Sequence, residues 1–371
     1  MTTEPRRGAK DDDTPAPCPL DEKALDAEEA AELLRAALSP GDSPSDALTC
    51  LLAVSGGPDS MALMRLASLA APLLPHIAFR AATVDHGLRP EARGEALFVA
   101  EVARRIGMPH EILTWDEAKP ATGIQKAARE ARYALLERHA VACGAKTLMT
   151  AHTSDDQAET ILMRLARGSG IDGLAGMRRI KPLRRVTLAR PLLDVPKSRL
   201  VATCAQQGWE YVEDPSNRDE GYTRVRIRAL LPLLETEGLD PRRLLRLGRR
   251  AREASEALEN CADRAFLAAR RETDGPGLLQ LDAEALAEVP IEILRRVLAR
   301  AITAVSLDLP QSDYGPRRER LEALSYDVFA ALRAGIPMPA RSLAGVGITV
   351  EQAGGATLIV SMRRSAPRRQ A

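Results

Sequence analysis

At 371 residues the chain is long enough for two or three domains that each bury a core, and its formal net charge of +1 carries no whole-chain nucleic-acid signal, so any basic surface is local. No stretch approaches the roughly 18 uninterrupted apolar residues of a membrane span, and the polar segment Met1 to Lys10 has no apolar core behind it, which excludes a secretory signal of the usual form. The five cysteines, Cys18, Cys50, Cys143, Cys204 and Cys261, are scattered without a Cys-x-x-Cys pair, which fits a reducing cytoplasm and argues against a zinc site or an iron–sulfur cluster.

Residues 1–22, rich in Asp, Pro and Arg, read as a disordered tail, and Leu25 to Leu38 as an amphipathic helix stopped by Ser39-Pro40-Gly41. Strand and helix signals then alternate. Strands are expected at 51–54, 77–84, 110–114 and 147–151, and helices at 59–70, 91–106, 124–143 and 155–166. Alternation at this spacing predicts an α/β domain, a Rossmann-like parallel sheet with helices on both faces, over residues 23–235. A strand at 186–189, a helix opened by Pro196 and a strand at 210–212 complete it. A basic helix at 222–236 leads into helices at 241–270, 283–305 and 317–333. The second domain, 236–371, is therefore expected to be mostly helical, ending in a hairpin of Gly347 to Val350 and Ala356 to Val360 joined through Gly354-Gly355.

Ligands of parallel sheets bind beyond the carboxyl ends of the strands, and the unusual polar residues fall there: Ser55, Asp85-His86, Thr114 and His152. The first of these segments is Ser55-Gly56-Gly57-Pro58-Asp59-Ser60, between an apolar strand and a helix. Strand, glycine turn and helix start together offer backbone N–H groups to a phosphate. Gly56 and Gly57 let the backbone approach an anion, Pro58 suits the first helical turn, and Ser55 and Ser60 add hydroxyls. Asp59 would repel a phosphate unless a cation lay between, so it implies Mg²⁺. The loop lacks the lysine of a Walker A motif.

Asp85, His86 and Arg89, in Val84-Asp-His-Gly-Leu-Arg89, come within reach of a nucleotide or metal, although Asp85 alone also suits a capped turn. In Ala151-His-Thr-Ser-Asp-Asp-Gln-Ala-Glu-Thr160, Asp155, Asp156 and Glu159 share one side of a helix start. They form either a capping arrangement or a site for a metal or a cationic substrate. Arg164 to Gly170 reads equally as a C-terminal cap or as a basic loop over phosphate. Arg129 and Arg132 share a face that either holds phosphate or is simply solvated. From Thr223 to Arg252 arginines, among them Arg224, Arg226 and Arg228, outnumber acids, which suits an RNA backbone.

The six-residue loop resembles the pyrophosphate (PP) loop of enzymes that split ATP between its α and β phosphates. With Val84 to Arg89, Ala128-Arg-Glu-Ala-Arg-Tyr133, Asp155 to Thr160, Arg167-Gly-Ser-Gly170, Arg190-Pro-Leu-Leu193, Asp214-Pro-Ser-Asn217 and Arg224 to Pro232, the chain resembles the tRNA(Ile)-lysidine synthetases over residues 50–235. The resemblance implies ATP and Mg²⁺ as cofactors, with L-lysine and a tRNA(Ile) bearing a CAU anticodon as partners in the cytoplasm. The wobble cytidine is adenylated and lysine then displaces AMP. It implies ATP contacts from Ser55, Gly56, Gly57, Pro58, Asp59, Ser60, Asp85, His86, Arg89 and Gly170, with Asp59 holding the metal. Asp155, Asp156 and Glu159 would bind lysine and share the catalytic role with Asp59, and Arg224, Arg226 and Arg228 would bind tRNA. Thr153 stands where many relatives carry His, Val225 replaces an Asn, and the C-terminal part is short. The rival reading is a PP-loop tRNA thiolation enzyme, whose cytidine-specific members carry paired cysteines that this chain lacks. A homodimer is left open by the sequence.

Overall fold

The computed structural model describes residues 23–38, 47–120, 122–212, 221, 223–273, 277–306, 318–353 and 357–364. The expected tail at 1–22, the Asp214 to Asn217 motif and the Gly354-Gly355 turn lie outside the described residues. The chain divides into two compact units, 1–249 and 250–371.

In the first unit the expected alternation is present. Strands β1 (Leu48–Ala53), β2 (Ile77–Asp85), β3 (His110–Thr114) and β4 (Thr147–Thr150) are linked by helices α2 (Pro58–Ala70), α3 (Ala92–Arg105) and α4 (Ile124–Ala142), preceded by α1 (Ala27–Arg35). Helix α5 (Ser154–Ala166), a short α6 (Ile171–Leu174), strands β5 (Ile180–Pro182) and β6 (Thr187–Ala189), and helices α7 (Lys197–Gln206) and α8 (Thr223–Thr236) follow. The sheet order is β3-β2-β1-β4-β6-β5, with β1, β2, β3, β4 and β6 parallel. From β1 the chain builds outward through β2 and β3, then returns to the other side of β1 as β4. The carboxyl ends of β1 and β4 therefore flank the switch point where a crevice opens.

The alternation of side chains along β1 explains its two-sided burial. Cys50 and Leu52, with Val54 beyond the strand, enter a core with α1, α2, α3 and α7, while Leu51 and Ala53 face a second core with Leu136 and Ala140 of α4. Leu51 and Leu52 are fully buried, each worth roughly 1.5–3 kcal/mol of hydrophobic stabilisation.

Two local expectations change. Residues 210–212 form no strand. Among the described residues their one ladder-like contact is the Val212 N–H donated to the Gly56 carbonyl at 2.9 Å, which packs this segment behind the glycine turn. The unexpected β5 pairs antiparallel with β6 at the sheet edge, where Pro182 needs no inward donor.

The second unit begins inside α9 (Pro241–Ala269). Helices α10 (Ala283–Ala287), α11 (Ile291–Ser306) and α12 (Arg318–Ala334) cover a five-stranded antiparallel sheet. Its strands are β7 (Arg270–Arg271), β8 (Leu278–Asp282), β9 (Met338–Leu343), β10 (Val346–Gln352) and β11 (Leu358–Arg364), in the order β7-β8-β11-β10-β9. The expected helix at 283–305 is divided at Pro290, which cannot continue the backbone ladder. The expected hairpin is β10–β11, and three further strands extend it. Val346, Ile348 and Val350 alternate inward to meet Leu294, Val297 and Leu298 of α11. Among the described residues no helix is long and apolar enough to cross a membrane.

Candidate active site

The turn after β1 is built around two glycines with different reasons to be glycine. Gly56 has φ +90°, in the region that excludes side chains, and its missing Cβ would meet Val99 Cγ2 at 3.6 Å. Gly57 caps α2 with ordinary φ, and among the described residues nothing lies within 4 Å of where its Cβ would point. Ser60 braces the turn: its Oγ accepts the Ser55 N–H at 3.1 Å, donates to the Gly57 carbonyl at 3.0 Å and lies 3.2 Å from Ser55 Oγ. Pro58 opens α2 and Asp59 is its second residue.

Asp59 is the electrostatic centre of the site. One carboxylate oxygen lies 3.5 Å from Lys197 Nζ, and among the described residues the other, Oδ1, is buried without a hydrogen-bond partner. Burial pushes its pKa up to about 6, Lys197 pulls it down, and the neighbouring Asp156 and Asp155 push it up. An orphaned carboxylate oxygen at a phosphate-type turn fits a cation. Among the described residues no group of three or more protein ligands is arranged to hold a metal, so Mg²⁺ here would take Asp59 and complete its shell with phosphate oxygens and water.

The first turn of α5 lies at the end of β4. Thr153 and Asp156 form a capping box, with the Thr153 N–H donating to Asp156 Oδ2 at 2.8 Å. Asp155 Oδ2 accepts the backbone N–H of Lys197 at 2.8 Å, and the Ser154 N–H donates to the Val195 carbonyl at 3.0 Å, which ties the start of α7 to the start of α5. Glu159 is buried, and both its oxygens are taken by arginines of α8: Arg224 Nε at 2.5 Å and Arg228 Nε at 2.7 Å. Arg224 also reaches Asp156 Oδ1 at 2.9 Å. The structure thus brings the acidic turn and the arginine-rich helix, separate in the sequence reading, into one ion-pair network. Arg226 is exposed and turns back to the Gly221 carbonyl and Thr223 Oγ1.

At the end of β2, Asp85 serves the turn, accepting the Gly87 N–H at 2.9 Å, with Arg93 3.8 Å away. Arg89 binds both oxygens of Glu95 at 3.1 and 3.3 Å. His86 stacks edge-on against Trp115 at 6.1 Å, and burial first, then the charge of Arg132, lowers its pKa. Together with Ser55, Thr83, Leu88, Ile124 and Arg132, His86 and Arg89 line a cavity of about 540 Å³ over the ends of β1 and β2.

Arg164 donates to the carbonyls of Gly173 and Gly176 at 2.8 Å, and Gly170 caps α6. Gln157 of α5 clasps Met177 through both its N–H and its carbonyl, at 2.7 and 2.9 Å. Gly176 has φ +71°, and a Cβ there would meet the Gln157 amide at 2.7 Å. Gly176→Ala should therefore lower the melting temperature and open the loop to proteolysis; an unchanged melting curve and cleavage pattern would show that the clasp is dispensable.

One position at the site escaped the sequence reading. Lys197 opens α7, where a cation opposes the helix dipole, and that local violation was its only signal. His152 bonds Thr150 Oγ1 through Nδ1 at 2.9 Å. Burial, together with Arg190, Arg224 and Arg129 and against the pull of Asp156, lowers its pKa to about 4, so the ring is neutral at physiological pH. The sequence reading placed it among the polar residues at the strand ends without assigning it a role.

A glycine turn after β1, an acidic helix start after β4 and a switch point between them define a PP-loop ATP-binding domain. The PP-loop domain family matches residues 27–234. The chain is 46% identical over 339 residues to a tRNA(Ile)-lysidine synthase of Methylobacterium nodulans, spanning 91% of this chain and 96% of that one. It is 52% identical over 258 residues to a tRNA(Ile)-lysidine synthase of Rhodopseudomonas palustris, spanning 67% and 74%. Among solved structures, a U34-tRNA thiolase, NcsA of Methanococcus maripaludis with its [4Fe-4S] cluster, shares the fold at TM-score 0.51 and 18% identity, over 60% of this chain and 78% of that one. The chain belongs to the tRNA(Ile)-lysidine synthase family.

Proposed function

We propose that this protein joins L-lysine to the wobble cytidine of a tRNA(Ile) carrying a CAU anticodon, in the cytoplasm, converting ATP to AMP and pyrophosphate. The observation that carries this reading is the meeting, at one switch point, of an ATP-type turn at Ser55 to Ser60 with an acidic helix start at Asp155 and Asp156. The cytosine carbonyl oxygen attacks the α-phosphorus and the bond to pyrophosphate breaks. The lysine ε-nitrogen then attacks the activated ring carbon, AMP leaves, and the nitrogen gives up its protons.

The residues suit these steps. The cavity beside His86 and Arg89 takes the nucleoside of ATP, and the open backbone at Gly57 receives its phosphates. Mg²⁺ held by Asp59 would neutralise charge on the leaving pyrophosphate. Lysine arrives protonated, with a side-chain pKa near about 10.4, so a carboxylate must hold the ammonium and take a proton. Asp155 and Asp156 serve that purpose, while Glu159 holds Arg224 and Arg228 in place beside them.

Arg226, solvent-facing on α8, contacts the tRNA backbone in this scheme. Arg226→Ala should weaken tRNA binding and lower the log–log salt slope by roughly one unit, with melting temperature recorded in parallel; unchanged affinity and slope would remove it from the interface. The function itself is tested by incubating the protein with labelled lysine, ATP and the CAU-anticodon tRNA. Label should enter the RNA only when position 34 is cytidine. Absence of label, or ATP cleavage that ignores tRNA, would overturn the reading.

A further inference from the structure

Asp59, Asp155 and Asp156 stand close enough for each of the last two to act on the charge of the first, yet the proposed occupant of this crevice is a polyanion. Lys197 is the cation set against them. Its backbone N–H is fixed by Asp155 Oδ2 at 2.8 Å, and its start of α7 is tied to α5. Its ammonium, by contrast, is held loosely: 3.5 Å from Asp59 is longer than the 2.7–2.9 Å of a strong charge-assisted hydrogen bond, and the side chain is 38% exposed. An anchored backbone with a long, unpinned stem is the form of a side chain that can change partner without moving its helix. Its place reinforces the point. A lysine at the first residue of a helix is disfavoured by the dipole unless an anion is nearby, and the N-termini of α2, α5 and α7 all bear on this region, through Asp59, Asp155 and Lys197. Among the described residues Arg224 and Arg228, also beside the acidic turn, are engaged by Glu159 and Asp156.

Resting on the ATP-site reading above, we propose that Lys197 is a phosphate-binding residue of this enzyme: its ammonium, 3.5 Å from Asp59, engages an oxygen of the leaving pyrophosphate when ATP binds, leaving Asp59 to Mg²⁺. The device supplies a positive charge where negative charge develops.

The test is equilibrium binding of ATP and of adenosine to the intact protein, with and without Mg²⁺, followed by calorimetry. Parent, Lys197→Met and Lys197→Arg proteins are compared, with melting temperatures recorded in parallel. Lys197→Met should weaken ATP binding roughly tenfold or more while leaving adenosine within about twofold, as loss of one charged contact to phosphate implies. Lys197→Arg should recover most of the loss, and the ATP KM for tRNA-dependent pyrophosphate release should follow the same order. Parent-like ATP affinity in Lys197→Met would overturn the proposal and leave the ATP site standing. Equal losses for ATP and adenosine with a lowered melting temperature would also overturn it, leaving only a structural ion pair. Absence of ATP binding by the parent protein would overturn the site reading itself.

Discussion

Asp59→Asn is expected to separate stability from activity: the variant melts higher than the parent at pH 8 and loses tRNA-dependent pyrophosphate release by more than about a hundredfold. The stability gain follows from the raised carboxyl pKa, from 3.8 to about 6, caused first by burial. The native state binds this proton more tightly than the unfolded chain. Ionisation therefore costs nothing below about pH 4, the cost grows as pH rises towards 6, and above that it is constant. A shift of about two units corresponds to roughly 3 kcal/mol as an upper bound, since the variant also loses the Lys197 contact. Melting curves of both proteins in EDTA between pH 3.5 and 8 check the sign: the difference should vanish at the acid end and level off above pH 6. A variant that melts lower at pH 8 and still turns over ATP would defeat both parts of the argument.

Glu159→Ala is expected to cost about 2–3 kcal/mol, a drop of about 5–10 °C in melting temperature, and to abolish lysine transfer. The carboxylate is almost fully buried and receives Arg224 and Arg228 at 2.5 and 2.7 Å, so its removal takes an anionic partner from both guanidinium groups and leaves Arg224 with Asp156. Those arginines are 39% and 45% exposed and regain some water, which keeps the cost below that of a fully buried pair. Glu159→Gln, which retains the shape and one acceptor, should fall between. If Glu159→Gln instead melts like the parent and raises only the KM for lysine, Glu159 touches the substrate directly and the anchoring role is wrong.

The bulk of the first unit was legible because its signals are local. Apolar runs of strand length alternate with helical periodicity, and Gly56 and Pro58 mark where α2 begins. What escaped was weak in periodicity. The three-residue β5 is held by its neighbour rather than by its own residues, and in the second unit β7, β8 and β9 are short and polar on one face. The turn of Ala344 and Gly345, with φ +52° and +76°, joins β9 to β10 and lacks the usual Asn-Gly signature.

The sequence by itself determined the class of chemistry, because the Ser55 to Ser60 turn and the acids of α5 are each contiguous, and contiguous residues carry their geometry with them. Only the tertiary structure decided the partners. Glu159 lies 65 and 69 residues from the arginines that hold it, and Asp59 meets Lys197 across two helices and the switch point of the sheet. A charge pattern read along one helix cannot tell a surface facing RNA from one folded back onto a buried carboxylate, since both need the same arginines at the same spacing. Which of the two forms depends on where α8 packs, and that is set by Ile227 entering the small core with Ala158, Ile161 and Leu244.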